Sequence, residues 1–202
     1  MSESQREDRL RVGLRERKKI KTRAAIQHEA LRLFRLQGYH ETTTEQIAEA
    51  ALVSTSTLFR YFPSKEDLVL TDNYDPLIIE ACRTQPAQLG PVEAIRHGLR
   101  AVFETMDDQD LADMKERAEL ALMVPALRAA MLDQDAQVIR QLTDVVAKRT
   151  KRPSDDFAVA TLAGAVLGVV ISTAFYWVEH PDTDLVALID EALKDLESGL
   201  PL

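Results

Sequence analysis

An all-α chain in two parts, a small N-terminal three-helix domain followed by a larger helical domain, is the architecture that this sequence predicts. Three observations support it. Apolar residues recur at three-and-four spacing through most of the 202 residues, with no sustained alternation of the kind a strand needs. Only seven glycines and eight prolines interrupt them. Helix-starting residues stand where new periodic runs begin, at Thr43, Ser54, Ser64 and Pro125. With 46% hydrophobic residues, the chain can bury one good core, or a small domain plus a larger one.

The opening stretch "MSESQREDRLRVGLRERKKIKTRA" is charged throughout and lacks the apolar core of a secretory signal. Residues 1–17 are expected to form a basic, flexible arm. Next, Ile26, Ala30, Leu33 and Phe34 share one helical face, and Gly38 offers a left-handed cap to end that helix. In "TTTEQIAEAA", Thr43 is the N-cap and Gln46 its capping-box partner, with Ile47 and Ala51 turned inward. After a turn at Leu52 and Val53, Ser54 caps another short helix that turns Leu58 and Phe62 inward. Pro63 blocks its continuation. Ser64, with Asp67 three residues on, starts a further helix through "KEDLVLTDNYDPLI".

Two short capped helices joined by a tight turn, behind a longer first helix, make a helix-turn-helix unit, whose second helix enters the major groove of DNA. This explains the run Ser54, Thr55, Ser56, Thr57, which is poor material for a helix interior. At the N-terminus of the second helix its propensity cost is least, and its hydroxyls and backbone N–H groups can face phosphates or base edges. Charge agrees. Residues 1–71 hold 13 Lys and Arg against 10 Asp and Glu, a balance of +3; residues 72–202 hold 12 against 23, a balance of −11. A basic end on an acidic body suits a polyanion partner at that end alone, because the local face sets the field.

The stretch "TTTEQIAEAALVSTSTLFRYFPSKEDLV" resembles the N-terminal domain of the TetR family of transcriptional repressors. That family's usual pattern runs T-T-x-x-x-I-A-x-x-A-G-V-S, then L-Y/F-x-Y/H-F, then K-x-x-L. The resemblance is close over residues 18–72, which it marks as the DNA-binding domain, with 73–202 as the helical ligand-binding and dimerisation domain. It implies that Thr43 or Thr44 contacts phosphate at the start of the second helix, and that Thr55, Ser56 and Thr57 face the groove. It further implies that Arg60 and Tyr61 reach backbone or bases, and that Lys65 anchors a phosphate. Two positions depart from the pattern. Leu52 stands where glycine is usual, and Phe59 occupies a position often held by tyrosine, so a phosphate-contacting hydroxyl is absent there.

Behind the proline-bounded connector "TQPAQLGP" come "VEAIRHGLRAVFETM" and "LADMKERAELALM". Pro125 then starts a long helix with Leu127, Met131, Val138, Leu142 and Val145 on one stripe. The run "FAVATLAGAVLGVVISTAFYWV", Phe157 to Val178, carries no charge and is long enough to cross a bilayer. A helix apolar all round can equally be buried in a core and against a second subunit. The resemblance favours the latter, since it implies a homodimer through the last two helices; by spacing, the final one carries Leu185, Leu188, Ile189, Ala192 and Leu196 on one side. Gly164 and Gly168 then either let helices approach across that dimer or save space inside one subunit. No membrane association is expected.

Phe103, Met106, Met123, Met131 and Trp177 are the candidates to line an effector cavity, because methionine and aromatics adapt to apolar ligands. Each is also a plausible core residue. "TLFRYFPSKEDLVL", with the later "MVPALRAAML", is similar to a branch of the family described as binding acyl-CoA-like ligands. The expected effector is accordingly small and hydrophobic or amphipathic, with an acyl-CoA-like compound as the class that this similarity implies and Arg117, Arg128, Lys148 and Arg149 the cations available for its phosphates.

The lone Cys82 excludes an internal disulfide framework and suits a reducing cytoplasm. His28, His40, His97 and His180 have no ligand-like spacing, no nucleophile elbow, P-loop or dinucleotide fingerprint is present, and the trio Asp107, Asp108 and Asp110 reads as a solvated turn. No catalytic residue, metal or cofactor is expected. The reading is a homodimeric, ligand-responsive transcriptional regulator, a repressor on a near-palindromic double-stranded DNA operator. Its rival is a non-enzymatic helical protein-interaction or architectural module.

Overall fold

The computed structural model describes residues 21–71 and 74–201, and the chain divides between Asn73 and Tyr74 into two compact units. The basic arm assigned to residues 1–17 lies outside the described residues. In the first unit, α1 covers residues 21–37 and buries Ile26, Ala30, Leu31 and Phe34. Leu31 is fully buried while Leu33 stays half-buried, so the inward stripe runs on Leu31 rather than Leu33. Gly38 ends the helix at φ 88°, where its N–H reaches the Phe34 carbonyl at 2.8 Å. Helix α2 (Thr44–Ala50) and α3 (Thr55–Tyr61) follow, then the single turn α4 (Asp67–Leu70). Ile47, Leu58, Phe62 and Leu68 are fully buried and close the small core. The buried Gln27 amide of α1 donates to the carbonyls of Leu68 (3.2 Å) and Thr71 (2.8 Å), holding the end of α4 against the first helix.

The one helix expected from Lys65 to Ile78 is two. Ser64 and Asp67 do exchange the anticipated cap: the Ser64 N–H and hydroxyl donate to Asp67 Oδ2, and the Asp67 N–H donates to Ser64 Oγ. Yet α4 stops at Leu70, and α5 (Asp75–Thr84) starts afresh with Pro76 in its first turn. A continuous helix would drive the Pro76 ring into the carbonyl four residues back.

In the second unit, α5 pairs with α6 (Pro91–Phe103); α7 (Asp108–Met123), α8 (Pro125–Thr150), α9 (Phe157–Glu179) and α10 (Leu185–Ser198) complete it. Gly98 of α6 lies against Cys82 of α5 so tightly that a Cβ there would sit 2.6 Å from Cys82 Sγ and 2.7 Å from its backbone nitrogen. Ile95, Val145, Val146, Ala163, Val166 and Leu193 form the centre of its core. Aspartates start three of its helices: Asp107, Asp156 and Asp184 each accept backbone N–H groups of the following first turn. The acidic trio expected in a solvated turn is thus a helix start. Asp107 and Asp110 form a capping box, and Asp108 and Asp110 favour the positive end of α7.

Candidate nucleic-acid interface

The reading element is built from its caps inward. Thr43 accepts the Gln46 N–H at 3.2 Å and Gln46 returns a carbonyl oxygen to the Thr43 N–H at 2.9 Å, so both ends of the capping box are made. The Gln37 amide donates to Gln46 Oε1 at 2.8 Å and ties the end of α1 to the start of α2. At the turn, Leu52 takes φ 54°, the left-handed region, with its side chain 93% exposed. Ser54 then caps α3, and the fully buried Leu58 and Phe62 anchor that helix's inner side.

The residues expected to meet DNA fall into two groups. Thr55, Ser56 and Arg60 are exposed, and Thr57 and Tyr61 are half-buried beside them, with the Arg60 guanidinium over the Tyr61 ring at 5.4 Å. Phe59, 43% exposed, emerges from the same helix without a hydroxyl. At the start of α2, Thr43 is exposed and Thr44 half-buried, its hydroxyl 3.4 Å from Glu45 Oε2. The Glu45 carboxyl is held below its usual range first by its own backbone N–H and then by the Thr43 hydroxyl. An ionised acid therefore stands among the hydroxyls expected to meet phosphate.

Lys65, expected to anchor a phosphate, makes its contacts within the chain on the turn that follows α1. Its ammonium donates to the Tyr39 carbonyl, lies 3.5 Å from the His40 carbonyl, and sits over the Tyr39 ring at 4.4 Å and the Phe34 ring at 5.8 Å. Partial burial lowers its pKa, and the Tyr39 hydroxyl donates to Glu66 at 3.1 Å. Lys65 thus braces the turn between α1 and α2. The sequence held no signal for this, because Tyr39 and Lys65 meet only through the fold.

In the second unit three of the five cavity candidates share one core and the other two are not part of it. Phe103 and Trp177 are buried in the core, Trp177 beneath the Lys115 ammonium at 5.3 Å; Met106 is half-buried against that core and Met131 half-buried on α8. Met123 is a correction: at the last position of α7 it is 79% exposed, while Ala121 and Val124 turn inward on either side of it. Arg149 is a second. Its guanidinium donates to the carbonyls of Cys82 and Gln85 (both 2.8 Å) and of Pro86 (3.0 Å), so it fastens the connector rather than facing a ligand. A groove of about 400 Å³ does open between α9 and α10, lined by Ser172, Thr173, Tyr176, Leu188, Glu191, Ala192 and Asp195; none of the five candidates lines it.

The outer side of α9 is apolar and open. Phe157 is 84% exposed, and a Cβ added at Gly164 or Gly168 would meet nothing within 4 Å. The two glycines therefore do not save space inside this subunit. Helix α9 is long and apolar enough to cross a membrane, yet its inner side, from Val159 to Trp177, is buried in the core. Among the described residues no group of His, Cys, Asp and Glu is arranged to hold a metal ion.

Known proteins match both units. Residues 26–71 match the family described as bacterial regulatory proteins, tetR family, and residues 89–201 match the MftR C-terminal domain. The HTH-type transcriptional regulator TcmR of Streptomyces glaucescens is 36% identical over 203 aligned positions, which cover 93% of this chain and 88% of that protein. A Mycobacterium tuberculosis protein named as a mycofactocin biosynthesis transcriptional regulator, MftR, is 28% identical over 94% of this chain and 95% of its own length. Among solved structures, Thermus thermophilus FadR, a TetR-family transcriptional repressor in complex with lauroyl-CoA, is 27% identical, covers 89% of this chain and 95% of its own, and superposes with a TM-score of 0.56.

Proposed function

Because this chain belongs to the TetR family and is a helix-turn-helix transcriptional regulator, we propose that it acts as a ligand-responsive repressor in the cytoplasm, binding a near-palindromic operator as a homodimer. The observation that carries this reading is the outward edge of α3. Thr55, Ser56, Thr57, Arg60 and Tyr61 stand on one short helix whose other side is locked by Leu58 and Phe62. Two such helices, about 34 Å apart or somewhat more, fit successive major grooves. Thr43 and Thr44 approach phosphate at the start of α2, while Lys65 contributes by holding the turn beneath them.

The homodimer is supported by the exposed apolar side of α9, where Gly164 and Gly168 leave room for another helix to approach. The effector is small and hydrophobic or amphipathic. The lauroyl-CoA bound by FadR supports an acyl-CoA as its class. Its binding shifts the regulator toward a form with lower operator affinity, so that effector and operator oppose each other by a common coupling free energy.

The test begins with duplexes selected by the purified protein from fragments of its source genome. Arg60→Ala should weaken binding to the selected duplex by about 1–3 kcal/mol if Arg60 reads a base, or reduce the salt dependence if it meets phosphate only. Equal binding by variant and wild type at matched salt removes Arg60 from the interface. Lauroyl-CoA added to the complex should release the duplex in a dose-dependent way, and full retention at saturating ligand overturns the acyl-CoA assignment.

A further inference from the structure

The hydroxyl that caps α3 is used to its full capacity. A serine hydroxyl offers one O–H donor and two acceptor lone pairs. Ser54 Oγ accepts the Thr57 N–H at 3.1 Å and donates its own proton to Thr57 Oγ1 at 2.9 Å. It also lies 3.0 Å from Ser56 Oγ. With the Ser54 proton already committed to Thr57, the contact with Ser56 closes only if Ser56 donates. All three capacities of Ser54 are then filled, and each neighbouring hydroxyl is left with a defined polarity.

We infer that Ser54 is a positioning residue for base reading, which sets Thr57 as an outward hydrogen-bond donor and Ser56 as an outward acceptor. Thr57 Oγ1 receives the Ser54 proton, so its own proton is free to point away from the helix. Ser56 has spent its proton on Ser54 and presents lone pairs alone. In the major groove, donors meet purine N7, guanine O6 or thymine O4, and acceptors meet adenine N6 or cytosine N4. The chemistry therefore pairs Thr57 with a base acceptor and Ser56 with an exocyclic amino group. It also keeps Ser56 away from phosphate, whose oxygens only accept. This rests on the reading that the outward edge of α3 faces base pairs.

The test compares base preferences of the full-length protein at every operator position, measured by sequencing duplexes bound from a library randomised around the selected site. Ser54→Asp keeps an oxygen to accept the Thr57 N–H but has no proton to give. Ser56 and Thr57 then both donate to the carboxylate, so Thr57 turns its lone pairs outward. At the base pair under Thr57, the preference should switch from an acceptor-bearing to an amino-bearing base by about tenfold, with the preference under Ser56 kept. Ser54→Thr, which restores the hydroxyl, should return the wild-type profile. Should Ser54→Asp bind too weakly to profile, Ser54→Ala takes its place: it frees both hydroxyls and should relax preference at both base pairs while nonspecific binding at low salt persists.

Thr57→Val is measured alongside. If Thr57→Val alters the profile while Ser54→Asp or Ser54→Ala leaves it as in wild type, the relay is wrong although α3 reads bases. If Thr57→Val, Ser56→Ala and Arg60→Ala all leave the profile unchanged, α3 does not face bases, and the proposal falls with that reading.

Discussion

Leu52 holds a left-handed backbone at φ 54° with its side chain almost wholly in solvent, so it bears the steric cost of that conformation and recovers no packing. The cost is about 1–2 kcal/mol for a residue with a Cβ. Glycine removes it but adds about 0.4–1 kcal/mol of unfolded-state entropy. Leu52→Gly should therefore raise stability by about 0.5–1 kcal/mol in urea unfolding, and a variant no more stable than wild type would mean the turn is unstrained. At this scale the sequence was legible wherever a side chain serves its own neighbours. Thr43, Gln46 and Ser54 do what their spacing announced. It was silent where the partner is distant, as with Lys65 and the Tyr39 carbonyl.

Between elements, the tightest constraint is the crossing of α5 and α6. Gly98 permits it, because any Cβ would intrude on Cys82 Sγ and, at 2.7 Å, on a backbone nitrogen that cannot swing away. Gly98→Ala should destabilise the chain by about 1–3 kcal/mol as the helices are pushed apart. Thermal unfolding checks this, and an unchanged midpoint would show that the helices part without penalty. The same packing buries Cys82, whose thiol is pushed up to about 12 by burial despite the nearby Arg149. That suits a packing residue rather than a reactive one. Helix existence followed from periodicity and caps, whereas the break between α4 and α5 did not: the cap at Ser64 forms as expected, but Pro76 cannot continue a helix begun there and opens a new one instead.

Across the second unit, Arg96 of α6 and Lys194 of α10 both reach Asp190 at 2.6 Å, and their side chains, Lys194 first, hold the Asp190 carboxyl below its usual range. A depressed folded pKa contributes stability that is present above the unfolded value and lost as pH falls through the folded one. Wild type should therefore lose stability more steeply than Asp190→Asn below about pH 4, while at neutral pH the variant should be weaker by about 1–3 kcal/mol. Parallel stability curves from pH 7 to 3 would contradict this. At the level of assembly, Gly168→Leu adds a side chain whose Cβ meets nothing within 4 Å inside the subunit. It should leave the fold intact yet lower the mass measured by light scattering from dimer toward monomer. A wild-type monomer at micromolar concentration would sink the dimer, and an unchanged dimer in the variant would move the interface away from Gly168.

Local chemistry along the chain was enough to settle the helical class, the two-part division of charge, and the helix-turn-helix with its caps at Thr43 and Ser54. Each of these depends on residues within four positions of one another, or on composition summed over a domain. The fold was needed for the rest. It turned Lys65 onto the turn between α1 and α2, committed Arg149 to carbonyls at the end of α5 and in the connector, exposed Met123, and left Gly164 and Gly168 facing open space. Periodicity says which residues share a face; what that face meets depends on packing between segments far apart in sequence. The Ser54 relay lies between these cases. Its residues are adjacent in sequence, but the direction of its protons follows from the Ser54 bond to Thr57 and from the one proton that Ser54 has to give.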